Sequence, residues 1–156
     1  MSSLLLKKIQ LLSILLGHFM RCNVSWCSVD DVFFPINLAE KWHWLLGRFS
    51  FKDGCVYVYD SMSGARQNVA VKKTIEAYSE LIPHFLSRID FWGSRSDGLP
   101  AVDFFDICMV DGLPTKANTD WGVFAVAFAE YMIEGSEIPN VIKDIDAIRS
   151  RYGTLL

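Results

Sequence analysis

The sequence predicts an α+β domain, a mostly antiparallel sheet with helices packed around it. Three observations predict it. Short apolar runs of strand length alternate with turn residues between Val32 and Asp60. Two of those runs are separated by Lys52-Asp53 with Gly54 completing the turn, which is a hairpin pattern. Beyond them apolar residues recur at helical spacing, and a nearly continuous apolar run follows Asp120.

The elements follow in order. Residues 1–25 form an apolar N-terminal helix or divergent segment, ahead of a domain spanning 26–156. Leu5, Ile9, Leu12 and Leu16 have the spacing of an amphipathic helix that packs on the domain. Lys7-Lys8 before Ile9–Gly17 also imitates a targeting segment, though Leu4–Leu6 precede the lysines and no small-x-small cleavage site is clear. The apolar run falls short of the roughly 20 residues that span a bilayer. Asn23-Val24-Ser25 is a glycosylation tripeptide of a kind common by chance. Val32–Asn37 reads as a strand, with Pro35 marking an edge or bulge. His43–Phe51 and Gly54–Asp60 are the hairpin strands, and Ser61-Met62-Ser63-Gly64 is the loop after them.

Val71, Ile75, Tyr78, Ile82 and Phe85 predict a helix that Pro83 breaks or kinks. Asp90–Pro100 reads as loop, Val102–Val110 as a strand and Asp111-Gly112-Leu113-Pro114 as a turn. Asp120 is a good N-cap for a helix to about Glu134. That helix is apolar nearly all round, so it is expected to be central and buried. A last helix is expected from about Pro139 to Tyr152, with Ile142, Ile145 and Ile148 on one side.

Composition bounds the function. A length of 156 residues suits one domain with a real core, and 51% hydrophobic with 21% charged residues is a globular balance. A net charge of −3 with scattered signs offers no basic face, so nucleic acid is not an implied partner. No membrane partner and no cofactor are implied either, and the oligomeric state is not readable. The four cysteines, Cys22, Cys27, Cys55 and Cys108, form no Cys-x-x-Cys pair; unpaired thiols in a reducing compartment are a simpler reading than a metal site.

The candidate site lies around Asn118-Thr119-Asp120-Trp121-Gly122-Val123-Phe124. A thiol at the first position of such a helix would sit at the positive end of its dipole, where a cysteine pKa falls and a thiolate nucleophile forms. Upstream stand His43 at the start of an apolar strand and Asp60 at the end of the next. These are the supporting parts of a cysteine-peptidase site, but an indole occupies the nucleophile's place. Each part has a plainer alternative: His43 as a structural strand histidine, Asp60 as a strand-ending turn residue, Trp44 as core packing, Asp120 as an N-cap alone.

Three ordered motifs carry a resemblance. They are Val29-Asp30-Asp31-Val32-Phe33-Phe34-Pro35-Ile36-Asn37 with Lys41-Trp42-His43-Trp44-Leu45-Leu46; Val56-Tyr57-Val58-Tyr59-Asp60-Ser61-Met62; and Leu113–Phe124 followed by Phe128-Ala129-Glu130-Tyr131. Together they resemble the ubiquitin-like protease family, papain-related cysteine peptidases that process or deconjugate SUMO-type modifiers. The branch abundant in plant genomes and linked to mobile elements is the most similar. The resemblance implies a papain-like fold, truncated here at its N-terminus, a SUMO-like or ubiquitin-like modifier as partner, and a nuclear or cytosolic location. It implies that His43 is the general base, Asp60 its orienting carboxylate, and Trp44 the cover of a tunnel for a Gly-Gly tail. Asp120 and Gly122 would flank that tail.

Two positions depart from the family pattern. Trp121 stands at the nucleophilic cysteine, and Lys116 falls about where the oxyanion-hole glutamine belongs. Cys55 and Cys108 lie on strands at the wrong ends to replace the lost thiol. The expectation is therefore a domain of the peptidase class that is weak or inactive. The alternatives are a non-catalytic binding module for a modifier or partner, and a mobile-element relic.

Overall fold

The structure is a computed structural model that describes residues 24–38, 43–62, 65–115 and 121–153. A short 3-10 turn, Trp26–Ser28, leads into β1 (Asp31–Leu38), β2 (His43–Ser50) and β3 (Cys55–Tyr59). Then come α1 (Ala65–Arg88), α2 (Phe91–Ser94), β4 (Asp106–Met109), α3 (Trp121–Ile133) and α4 (Ile145–Gly153). The sheet has the order β1-β2-β3-β4; the first three strands are antiparallel, and β4 runs parallel to β3. A parallel neighbour requires a crossover, which α1 and α2 supply. The predicted α+β architecture with a mostly antiparallel sheet is the one found.

The hairpin forms where the sequence places it. Ser50 pairs with Cys55, and Gly54 takes φ +65°, which a residue without a Cβ adopts freely. Asp53 closes the turn, accepting hydrogen bonds from Ser50 Oγ at 2.9 Å and Tyr57 OH at 3.1 Å.

Side-chain alternation along β2 builds a layer on each face of the sheet. Leu45 and Phe49 join Ile36, Val56 and Val58 beneath Val71, Ile75, Ile82 and Leu86 of α1. On the other face Leu46 and Tyr59 meet Phe124, Ala125, Ala127 and Phe128 of α3, with Ile142 and Ile145 beside them. A strand covered on both faces reads as an apolar run rather than an alternating one, which is why His43–Phe51 looked uniform in the sequence. Gly47 is the close-contact point: a Cβ there would lie 2.4 Å from Phe34 Cζ, whose ring stacks on Phe49 at 4.6 Å.

Several boundaries differ from expectation, each for a local reason. Pro83 does not end its helix; α1 runs through it, because Ile82 and Leu86 are buried on either side and packing outweighs one missing N–H donor. The buried stripe of α1 is Val71, Ile75, Ser79, Ile82 and Leu86, so Tyr78, at 43% exposure, borders it rather than belonging to it. One helical turn, α2, interrupts the expected loop because Phe91 is drawn into the core. The expected Val102–Val110 strand contracts to Asp106–Met109, the length for which β3 supplies partners.

The last helix starts at Ile145 rather than near Pro139. Asp144 sits at φ +60° and its Oδ1 accepts the Ala147 N–H at 2.9 Å, the work of an N-cap. The α3 helix covers one face of the sheet and is not enclosed: Val126 is 38% and Ile133 71% exposed. Away from the sheet ends, Arg95 ties the segment before β1 to α2. Its guanidinium donates to the Val29 carbonyl at 2.6 Å, reaches Asp30 and Asp97, and lies over the Phe91 ring. The expectations for residues 1–23 lie outside the described residues. Among the described residues no helix is long and apolar enough to cross a membrane.

Candidate active site

Antiparallel pairing sets Leu46 opposite Tyr59, and so brings the start of β2 beside the residue that follows β3. Those two positions are His43 and Asp60. His43 Nε2 lies 2.6 Å from Asp60 Oδ1, with His43 fully buried and Asp60 only 8% exposed. The same oxygen accepts the Met62 N–H at 2.7 Å. An aspartate bonding to the backbone two residues onward is a local turn, and it fixes the carboxylate before the histidine is considered.

The chemistry of the pair follows from which nitrogen is held. A carboxylate facing Nε2 selects the tautomer protonated there, which makes Nδ1 the basic nitrogen of the neutral ring. A buried, oriented imidazole of this kind can accept a proton at Nδ1 while the carboxylate stabilises the cation that forms.

Trp44 is 42% exposed and so is no core residue. Its ring lies beside the first turn of α3, where a Cβ added to Gly122 would stand 4.0 Å from Trp44 Cδ1. Around this contact Phe33, Pro35, Leu46, Ala125, Val126 and Ala129 line an almost wholly apolar groove of about 420 Å³. A smaller cavity of about 200 Å³ adjoins Asp60 on the other side, between Met62 and the segment from Met109 to Thr115.

The structure thus brings together His43 with Asp60, and Trp44 with Gly122. Trp121 is the first residue of α3, one position before the glycine that meets Trp44. Lys116 and Asp120 lie outside the described residues. Cys55 pairs with Ser50 at the far end of β2 from His43, roughly 23 Å along the strand at about 3.3 Å per residue. Cys108 stands beside that end on β4. Among the described residues no group of three His, Cys, Asp or Glu side chains is placed to hold a metal ion.

Sequence reasoning missed the Met62 N–H and the groove lining. An Asp-Ser-Met step after a strand was the available signal for the first. The second joins residues far apart in sequence, so periodicity could not have found it.

The C-terminal catalytic domain model of the Ulp1 protease family matches residues 23–155. This chain belongs to the Ulp1 protease family. Among solved structures the Ulp1-family chain is similar to the SUMO protease Ulp1 with its catalytic cysteine oxidised to a sulfonic acid. Identity there is 22% and the TM-score 0.53, covering 97% of this chain and 63% of that one. It is also similar to the C-terminal Ulp1 protease domain in complex with Smt3, the yeast orthologue of SUMO, at 24% identity and a TM-score of 0.54. That match covers 87% of this chain and 55% of the other. This family member therefore spans less than two thirds of either solved chain, and at such identities the likeness carries the fold alone. No curated protein matches it.

Proposed function

We propose that this chain is a Ulp1-family domain of the cysteine-peptidase class with little or no peptidase turnover. The family reaction in question is hydrolysis of the peptide or isopeptide bond after a SUMO-like modifier's Gly-Gly tail. The observation that carries this reading is the contrast at one site: His43 and Asp60 are bonded and buried, while the first residue of α3 is Trp121. A base without its thiol can at best activate water, and losing the nucleophile of a triad enzyme costs on the order of a millionfold in rate. By the family resemblance Lys116 falls about where the oxyanion-hole glutamine belongs, and losing one such donor costs on the order of a hundredfold or more.

A thiol-directed probe built on a SUMO-type modifier, such as its C-terminal vinyl sulfone, tests the reading. The expected result is no labelling over hours, under conditions that label an active relative within minutes. Rapid labelling at any cysteine would overturn it.

One observation favours a second reading, a non-catalytic module that holds the modifier's tail. Trp44 is exposed and lies over the glycine of the first α3 turn, beside an apolar groove. A groove walled by an aromatic ring at a helix mouth suits an extended tail without side-chain bulk, and glycine is such a residue. Titration of the chain with labelled modifier should then saturate, and a linear response up to high concentration would remove this reading.

A further inference from the structure

At the opposite end of the sheet, β3 and β4 carry a pair of thiols. The parallel register sets Cys55 opposite Asp106 and Tyr57 opposite Cys108. Residues two apart on a strand share a face, so Cys55 and Cys108 are diagonal neighbours on the same side of the sheet. Both are half-buried and neither is in a disulfide. Cys55 Sγ donates to the Asp53 carbonyl at 3.4 Å, and Cys108 is near enough to act on its titration. Burial first, then the neighbouring Cys108 and the carboxylates of Asp106 and Asp53, push the Cys55 thiol up to about 11.

We propose that Cys55 and Cys108 form a modification site, a thiol pair that hydrogen peroxide converts to a reversible disulfide joining β3 to β4. One thiol attacks the peroxide, gaining an oxygen as sulfenic acid while water leaves. The second sulfur then attacks that sulfenic sulfur; the S–O bond breaks, the second thiol's proton goes with the oxygen, and another water leaves. Two thiols and one peroxide thus give one disulfide and two waters.

The geometry sets both feasibility and reversibility. On parallel strands about 4.8 Å apart with a rise of about 3.3 Å per residue, positions offset by two stand roughly 8 Å apart, and a disulfide closes when its Cα atoms come within about 7 Å. The gap is therefore about one ångström. β4 is the strand that yields, since it lies at the sheet edge and is only four residues long. Bridges that need such a shift are the readily reduced ones. Protonated thiols react slowly, so at neutral pH the bridge forms over a long exposure rather than in a burst.

Peptide mapping of the full chain without reductant, after graded hydrogen peroxide, tests this. The expected product is a cross-linked peptide pair containing Cys55 and Cys108, lighter by two hydrogen atoms and restored by dithiothreitol. Cys55→Ser and Cys108→Ser should each abolish it, while Cys27→Ser leaves it. Recovery of both residues as free thiols, as separate sulfinic acids, or bridged to Cys22 or Cys27 would overturn the proposal. The unmodified sequence provides a second readout that needs no variant. The oxidised chain should melt above the reduced chain, because a native cross-link constrains the unfolded state. Melting at or below it would mean that the bridge does not fit the native sheet, and would likewise overturn the proposal.

Discussion

The strand-borne half of the site and its helix-borne half are held by different forces. His43 opens β2 and Asp60 directly follows β3, neighbouring strands whose register is fixed by the packing of Leu45, Phe49, Val56 and Val58. Anything that keeps the sheet keeps the pair. Trp121 occupies the first position of α3, where the backbone N–H has no intrahelical acceptor. Under the proposed function, the strand-borne half doubles as scaffold, and the helix-borne half is where the family resemblance puts the lost nucleophile.

The largest expected effect breaks this contrast by rebuilding the second half. Trp121→Cys combined with Lys116→Gln should convert a chain with no measurable cleavage of a modifier–reporter fusion into one with steady turnover. The gain could approach the roughly millionfold value of a nucleophile. Product formation followed by gel and mass spectrometry checks it. If the double variant folds and remains silent, the strand-borne half lacks working geometry as well, and the contrast drawn above fails.

The next effect sharpens the contrast from the other side. Asp60→Ala removes the acceptor of both the Nε2–H of the fully buried His43 ring and the Met62 N–H. The ring is neutral, so the loss is that of buried hydrogen bonds to a carboxylate, about 1.5–3 kcal/mol. Denaturant unfolding should show a midpoint shift of that size with no change in slope, whereas a loss under about 1 kcal/mol, the scale of an exposed pair, would mean that the pair is not holding the sheet ends together.

How much of this was legible beforehand depends on the range of the interaction. The hairpin was readable because Lys52-Asp53-Gly54 is a local turn and its flanking runs are short. The family motifs made His43 and Asp60 readable as a pair, although no periodicity argument joins a strand start to a strand end seventeen residues on. What escaped was tertiary. Pro83 inside α1 follows local rules for a break, yet Ile82 and Leu86 are buried against the sheet and carry the helix through. The late start of α4 turns on Asp144 at φ +60°, a conformation that its residue type only permits. The apolar groove gathers Phe33 and Pro35 from β1, Trp44 and Leu46 from β2, and Ala125, Val126 and Ala129 from α3, a grouping that exists only after folding.

Two glycines give the smallest effects and divide the molecule in the same way. Gly47 lies in the scaffold, where an added methyl would stand 2.4 to 2.8 Å from three carbons of the Phe34 ring. That ring is stacked on Phe49 and cannot retreat freely, so Gly47→Ala should cost about 1–3 kcal/mol, the range of an overpacked core. Gly122 lies in the helix-borne half, and its nearest neighbour to a new Cβ is Trp44 Cδ1 at 4.0 Å, an ordinary contact. Alanine is also the better helix former, so Gly122→Ala should be neutral or stabilising by about 0.5 kcal/mol. The same methyl narrows the space beneath Trp44, so modifier binding, if present, should weaken as the fold gains. Paired thermal melts and a modifier titration on the two variants measure this directly. A costly Gly122→Ala would mean that the mouth of α3 is packed as tightly as the sheet, and the division between scaffold and site would have to be redrawn there.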